Sequence, residues 1–440
     1  MSRVLHRAGA PPPAAVGGDG VWLHLADGRR ILDGSGGAAV ACLGHGNTRV
    51  AASIGAQAAR LAYAHTGFFT SEPAEALAEA LVGDEPGGLT HAWFCSSGSE
   101  ATEAALKLAR QYHVERGQPG RTRVIARTQS YHGNTLGALA AGGNMARRAL
   151  YQPILSPAFS HVSPAFAYRF QRDGETEAGF VDRLAAELEA EFARLGPETV
   201  IGFIAEPVVG ATAGCVVAPA GYFRRVREIC DRHGALLLLD EVMCGLGRCG
   251  TRHAWEGEGV TPDIEIIAKG LAGGYQPIGG ILIAGHVMAA LTAGSGAFVH
   301  GHTYQAHPVA CAAALEVQRI IAEDGLVARS ATMGAVLEAA LTDRFGNHPH
   351  VGEIRGRGLF RAIELVADRA TRAPFDPALR IHERVKAAAL TEGLAVYPTG
   401  GTIDGVRGDH VLIAPPFIVT EDEIGMLADR LERAVAAALR

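Results

Sequence analysis

Long apolar runs are missing from this sequence. No stretch approaches the roughly 20 residues that cross a bilayer, and the opening MSRVLHRAGAPPPAAVGGDG has no apolar centre of a secretion signal. A cytoplasmic protein is the expectation. Cysteine is no more helpful as a scaffold. The seven Cys stand at irregular positions, their number is odd, and no C-x-x-C pair occurs. Neither a zinc site nor a disulfide framework is supported, and small buried apolar residues are expected instead. Lysine is scarce: only Lys107, Lys269 and Lys386 are present, so lysine chemistry has three candidates. A strong positive balance is absent too. The net charge of −6 argues against nucleic acid or a membrane surface as the main partner.

Several signatures are also lacking. There is no G-x-x-x-x-G-K-[ST] loop for a nucleotide phosphate and no G-x-S-x-G elbow for a serine hydrolase. Gly245, Gly247 and Gly250 form a G-x-G-x-x-G after a strand, but TRHAWEGEGV follows without helical periodicity. A dinucleotide pyrophosphate needs a helix N-terminus there, so an oxidoreductase reading is set aside. His300 and His302 form an H-x-H pair with no acidic or cysteine partner nearby in sequence, and no metal is expected.

What is present is an α/β pattern. The chain has 440 residues, enough for two or three lobes, with an ordinary 48% hydrophobic and 20% charged content. Its centre is LLLLDEVMCGLGRCGTRHAWEGEGVTPDIEIIAKG, residues 236–270. An apolar strand, 236–239, ends on Asp240 and Glu241. A second apolar run, 264–267, delivers Lys269. Ligands of open α/β sheets sit at strand carboxyl ends. An Asp and a Lys placed there suggest an imine-forming site: the lysine engages a carbonyl cofactor and the aspartate keeps a pyridine nitrogen protonated.

Other strand ends add to this. Ser97, Gly98 and Ser99 lie between a short strand (92–95) and a helix whose apolar face is Ala101, Ala104, Ala105 and Leu108. Free N–H groups and the dipole there can hold a phosphate, although a plain helix cap is the competing reading. Tyr131, His132 and Gly133 follow the strand 123–127, and the tyrosine can cover a planar ring or merely pack. Glu206 ends the strand 200–205. Residues 150–180 read as loop. Tyr63, Phe68 and Phe69 read either as core packing or as an apolar pocket wall. The last 120 or so residues change to helices alternating with short strands. The organisation expected is 1–47 as an N-terminal segment joining a small domain, 48–320 as the large domain, and 321–440 as a small α+β domain.

These motifs taken together resemble class III aminotransferases, within the fold-type I pyridoxal-phosphate enzymes. GVWLHLADGRRILD, GHGNTRV, SSGSEATEAALKLAR, SYHGNT, AEPVVG, LLLDEVMCGLGRCG, IIAKG, GHTYQAHP and LIAPPF carry the resemblance, in that family's order and spacing. It implies a large domain with a mostly parallel seven-stranded sheet flanked by helices, plus a smaller α+β domain built from both termini. It implies pyridoxal 5'-phosphate as cofactor. Lys269 would form the imine and shuttle the proton, and Asp240 would pair with the ring nitrogen. Val242 and Tyr131 would cover the two ring faces, with His132, Gly133 and Glu206 close by. Ser97, Gly98 and Ser99 would hold the phosphate, joined by Thr303 from the neighbouring subunit of a homodimer. The activity implied is ping-pong transfer of an amino group. A decarboxylase, aminomutase or phospho-lyase of the same fold is the alternative.

The substrates are less defined. Relatives that use ornithine or 4-aminobutyrate commonly show E-P-x-Q-G-E, whereas this chain has Glu206-Pro-Val-Val-Gly-Ala211. Loss of the second glutamate favours the ω-amino acid or amine:pyruvate branch. Arg407 is the first candidate for a keto-acid carboxylate and Arg361 the second. An ordinary surface arginine is the competing reading of Arg407.

Overall fold

The computed structural model describes residues 3–7 and 11–440. The strands of its large sheet are β1 (Leu89–Cys95), β2 (Arg123–Arg127), β3 (Phe159–Val162), β4 (Val200–Ala205), β5 (Leu236–Asp240), β6 (Ile264–Ile267) and β7 (Gly279–Ala284). They lie in the order β1-β7-β6-β5-β4-β2-β3. β5 runs parallel to β4 and β6, and β2 parallel to β3 and β4. Only β7 is reversed, pairing antiparallel with β6 and β1. Six carboxyl ends therefore open on one edge, where the antiparallel strand begins.

The central strands are apolar throughout because helices cover both faces of such a sheet. Every residue of β4 (VIGFIA), β5 (LLLLD), β6 and β7 is buried. The helix Gly98–Glu115 turns Ala101, Ala104, Ala105 and Leu108 inward, as their spacing predicts. The helix Tyr222–His233 stops at Gly234, whose φ of +60° is the left-handed conformation that glycine adopts without a Cβ penalty. One difference from the sequence reading lies in residues 150–180, expected as loop. They contain β3 and a short helix, Ala167–Phe170. β3 is an edge strand, half-buried except at Val162, and FSHV shows neither an apolar run nor a clean alternation.

A second apolar core joins chain segments far apart in sequence, including Leu32, Val50, Phe345, Ile363, Val411 and Leu431. It lies against an antiparallel sheet ordered Val351–Arg357, Phe360–Leu365, Asp409–Ile413, Tyr397–Gly400. The N-terminal meander Ala15–Asp19, Trp22–Leu25, Arg30–Asp33 pairs in parallel with Leu394–Ala395. Side chains also bind the two sheets to each other. The Gln129 amide donates to the carbonyls of Gly401 (2.7 Å) and Thr402 (3.1 Å). Arg248 donates to the carbonyls of Leu359 and Pro415. No helix among the described residues is long and apolar enough to cross a membrane. All seven cysteines are free and buried.

Two histidines make this packing sensitive to acid. Burial, with Arg355 next, pushes the His410 imidazole down to about 3. Burial and then Arg148 push His161 down to about 4. An unfolded imidazole titrates near 6.5, so protonation favours the unfolded chain. The stability tied to these groups is complete above about pH 6.5 and is lost as pH falls toward 4, by a few kcal/mol in order of magnitude. Urea midpoints for His410→Gln should fall less steeply between pH 6.5 and 4 than those of the parent. Equal slopes would remove His410 from the account.

Candidate active site at the strand ends

A cavity of about 440 Å³ opens where the strands end, within the range of small-molecule sites. Ser97, Gly98, Ser99, Tyr131, His132, Gly133, Glu206, Asp240, Val242 and Lys269 all line it. Sheet geometry explains the convergence. Asp240 is the last residue of β5 and pairs in register with Ile266 of β6, three residues before Lys269. Glu206 directly follows β4, and Tyr131 lies four residues past β2.

Asp240 is buried and doubly held. Its Oδ2 lies 2.7 Å from His132 Nδ1, and its Oδ1 accepts the Val242 N–H at 3.0 Å. Glu206 is buried behind it. One Glu206 oxygen accepts the Tyr131 N–H at 3.0 Å, the other the Gly210 N–H at 3.1 Å. Burial raises the Glu206 pKa above the ordinary carboxyl value and Asp240 pushes the same way, while His132 and the two N–H groups oppose them. Lys269 moves the other way. Burial draws its ammonium pKa below the ordinary lysine value, against the pull of Asp240 and Glu206. Its backbone is strained as well, with φ at +43° in a residue other than glycine. Such outliers cost about 1–3 kcal/mol and cluster at functional sites.

The wall beside Val242 is backbone. A Cβ on Gly98 would lie 3.1 Å from Val242 Cγ1, and one on Gly133 (φ +137°) 2.6 Å from Ser99 Oγ. Ser97 caps the helix by accepting the Glu100 N–H at 3.2 Å, and Glu100 accepts the Ser96 N–H at 2.7 Å. The Gly98 and Ser99 N–H groups belong to the first turn, which has no intrahelical acceptors.

Five of the candidates from the sequence lie elsewhere. Phe68 and Phe69 are 80% and 66% exposed, so neither is packed in the core and neither lines the cavity. Thr303 is exposed, and its carbonyl accepts the Tyr63 hydroxyl at 2.9 Å. Arg407 bonds Asp404 on the surface (2.7 Å), and Arg361 pairs with Glu338 (2.8 Å). Neither arginine is among the residues that line the cavity. Val40, Gln276, Pro277 and Ile278 do line it and were missed. The last three precede β7, and only its antiparallel direction places them at this edge. The glycines 245–250 lead into turns and one short 3-10 helix, Ala254–Glu258, as their sequence suggested. His253, Glu241 and Glu265 form a buried cluster that the sequence did not reveal, with ligand-type atoms within 4.8 Å of one another. Both of its acids are hydrogen-bonded within the fold. Glu241 accepts the Ala254 and Trp255 N–H groups at 2.7 Å, and Glu265 meets His253 and the Trp255 indole at 2.9 Å.

The family model for class III aminotransferases matches residues 6–435. The chain belongs to the class III aminotransferases. An uncharacterised aminotransferase of Schizosaccharomyces pombe is 49% identical over 97% of this chain and 93% of its own. A diaminobutyrate–2-oxoglutarate transaminase of Halomonas elongata is 36% identical over 97% and 90%. Among solved structures, an amine transaminase from an uncultivated Pseudomonas species, in its PLP-bound (internal aldimine) form, superposes with a TM-score of 0.93. It is 36% identical, and 99% of each chain is covered. The fold is thus that of fold-type I transaminases, and this aminotransferase is an enzyme of amino-group transfer.

Glu206 offers a direct test of how the cavity is held. Glu206→Ala leaves the buried Tyr131 and Gly210 N–H groups without acceptors, at about 1–3 kcal/mol each. A loss of roughly 2–5 kcal/mol in chemical unfolding is expected. A loss under about 1 kcal/mol would show that water replaces the carboxylate.

Proposed function

We propose that this aminotransferase moves an amino group from an ω-amino acid or primary amine to a keto acid, with pyruvate the favoured acceptor, using pyridoxal 5'-phosphate bound through Lys269. The observation that carries the proposal is one cavity pairing a lysine of lowered pKa with a buried, hydrogen-bonded carboxylate on the adjacent strand.

The residues fit that cofactor. Backbone at Gly98, where a Cβ would be tight, and at Gly133, where it has no room, leaves N–H groups for a phosphate beside Ser97 and Ser99. Asp240 spends one bond on each oxygen, and a carboxylate has about four acceptor sites, so it can still receive a pyridine N–H. When bound, the cofactor supplies the electron sink that makes the amine Cα–H acidic and stores the amino group between the two half-reactions. The protein's own groups do the rest. Lys269, made neutral more easily by burial, takes and returns the proton at Cα. Asp240 would keep the ring nitrogen protonated, and His132 holds Asp240 in place. Tyr131 and Val242 would flank the ring, and Glu206 fixes the Tyr131 backbone.

The same reading takes 48–320 as the cofactor-binding lobe and 321–440, with 1–47, as the small lobe. It also includes a homodimer. Phe68, Phe69, Val299 and Tyr304 are exposed apolar side chains that suit burial against a second copy. Thr303, exposed among them, would reach the partner's phosphate.

The test is an absorption spectrum of the purified protein with pyridoxal phosphate. The yellow form should bleach with a primary amine and return with pyruvate. Lys269→Ala should lose at least about 10²–10⁴-fold in rate. Yellow protein that no amine bleaches would favour a decarboxylase, aminomutase or phospho-lyase, and protein that never turns yellow would overturn the cofactor. Capture of the cofactor by the stripped protein needs a neutral amine. Its rate should therefore rise with pH and level off below the ordinary lysine value of about 10.4. A plateau at or above that value would show that burial does not tune Lys269.

A further inference from the structure

Residues 129–135 lie between β2 and the helix Leu136–Ala141, in neither strand nor helix, so side chains must hold them. Tyr131 of the cavity wall is among them. Its N–H is held by Glu206 at 3.0 Å. A second fixed point is Gln129, two residues earlier. Gln129 is 4% exposed, and its φ of +61° is left-handed in a residue other than glycine. Such a conformation persists only where the surroundings over-determine it.

The Gln129 side chain is fully engaged. Its amide nitrogen donates to the carbonyls of Gly401 (2.7 Å) and Thr402 (3.1 Å), and its oxygen accepts from the Asn144 amide at 3.2 Å. Two carbonyls can only accept, so the nitrogen must face them. The Thr212 hydroxyl donates to the Gln129 backbone carbonyl. The partners at 401 and 402 come from the other sheet. Residues 401–408 connect its strands Tyr397–Gly400 and Asp409–Ile413, and this loop is folded on itself. The Gly401 N–H donates to the Gly408 carbonyl at 2.7 Å and the Ile403 N–H to the Arg407 carbonyl at 2.9 Å. Asp404 accepts the Val406 and Arg407 N–H groups at 3.0 and 2.8 Å. Thr402 is buried with its hydroxyl 2.7 Å from His410 Nδ1, which fixes the loop to its own sheet.

We infer that Gln129 is a positioning residue for Tyr131. It ties the segment that carries the ring to the loop 401–408, and so lets the second sheet set how Tyr131 lies against the cavity. The inference rests on the cofactor reading above, in which Tyr131 covers the pyridine ring. Two residues of chain span at most about 7 Å. The residue between, Ser130, is buried, donates to the Arg127 carbonyl at 2.7 Å and accepts the Gly143 N–H at 3.1 Å. A displacement at Gln129 therefore meets little slack before it reaches Tyr131. Gln129 itself is not among the residues that line the cavity, so its effect on the cofactor must pass through a neighbour.

The test uses the yellow holoenzyme and reads the rate at which it releases pyridoxal phosphate on dilution. Gln129→Met keeps the length of the side chain and removes the amide. It should speed release about tenfold, the worth of two neutral hydrogen bonds. In the Tyr131→Ala background the same change should alter release less than about twofold, because a residue that acts through Tyr131 has nothing left to act on. Asn144→Ala, which removes the bond that orients the amide, should shift release the same way by about threefold. A further reading needs no cofactor. Hydrogen exchange in the full chain without added cofactor should quicken over 129–135 in Gln129→Met and stay unchanged over 236–242. Equal acceleration of release in both backgrounds would make Gln129 a general support of the fold and overturn the inference. Unmoved release, or exchange that quickens equally in both segments, would overturn it too. Protein that never turns yellow would overturn the cofactor reading, and this inference with it.

Discussion

The site depends on satisfying a carboxylate that is buried inside a protein. An isolated buried charge is costly, and a buried acid tends to neutralise instead of staying charged. Asp240 meets this cost with partners on both oxygens, one from the next turn of its own chain and one from His132 at the end of a different strand. That second bond requires β2 and β5 to end at the same level. The parallel register through β4 provides this alignment, and the all-apolar strands beneath provide the rigidity. Glu206 sits on the strand between them and ties the Tyr131 backbone, so three strand ends are bound by carboxylate hydrogen bonds.

Much of this was legible because the chemistry is local. Asp240 and Lys269 each stand at or just past the end of a short apolar run, and runs buried on both faces show plainly in sequence. Ser97 to Ser99 were legible for a similar reason, since small residues at a strand-to-helix junction have few other uses. The unread parts depend on direction or distance. Gln276 to Ile278 enter the wall only because β7 runs backwards. Val40 arrives from a segment that belongs with the far core. Edge strand β3 exposes too much of FSHV to leave a pattern. The two arginine candidates could not be placed from sequence, which shows charge and hides its partner: Arg407 and Arg361 have acids beside them in space.

Phe68 and Phe69 teach a related point. Apolar residues in an irregular stretch suggested a choice between the core and a pocket wall. One copy of the chain uses them for neither and leaves both exposed. Sequence reports that a side chain avoids water, without saying whether its cover comes from the same molecule.

Asp240 and Glu241 are neighbours with opposite duties. Successive residues of a strand point to opposite faces, so one acid enters the cavity and the other closes the network with His253 and Glu265. The step from one to the other works as a reading-frame lock. A slip of one residue along β5 would bring Glu241 to the place of Asp240 and turn Asp240 to the opposite face, away from His132 and one place short of the N–H groups that Glu241 now meets. The strand is therefore pinned from both sides at once, and its length cannot drift without both acids losing their places.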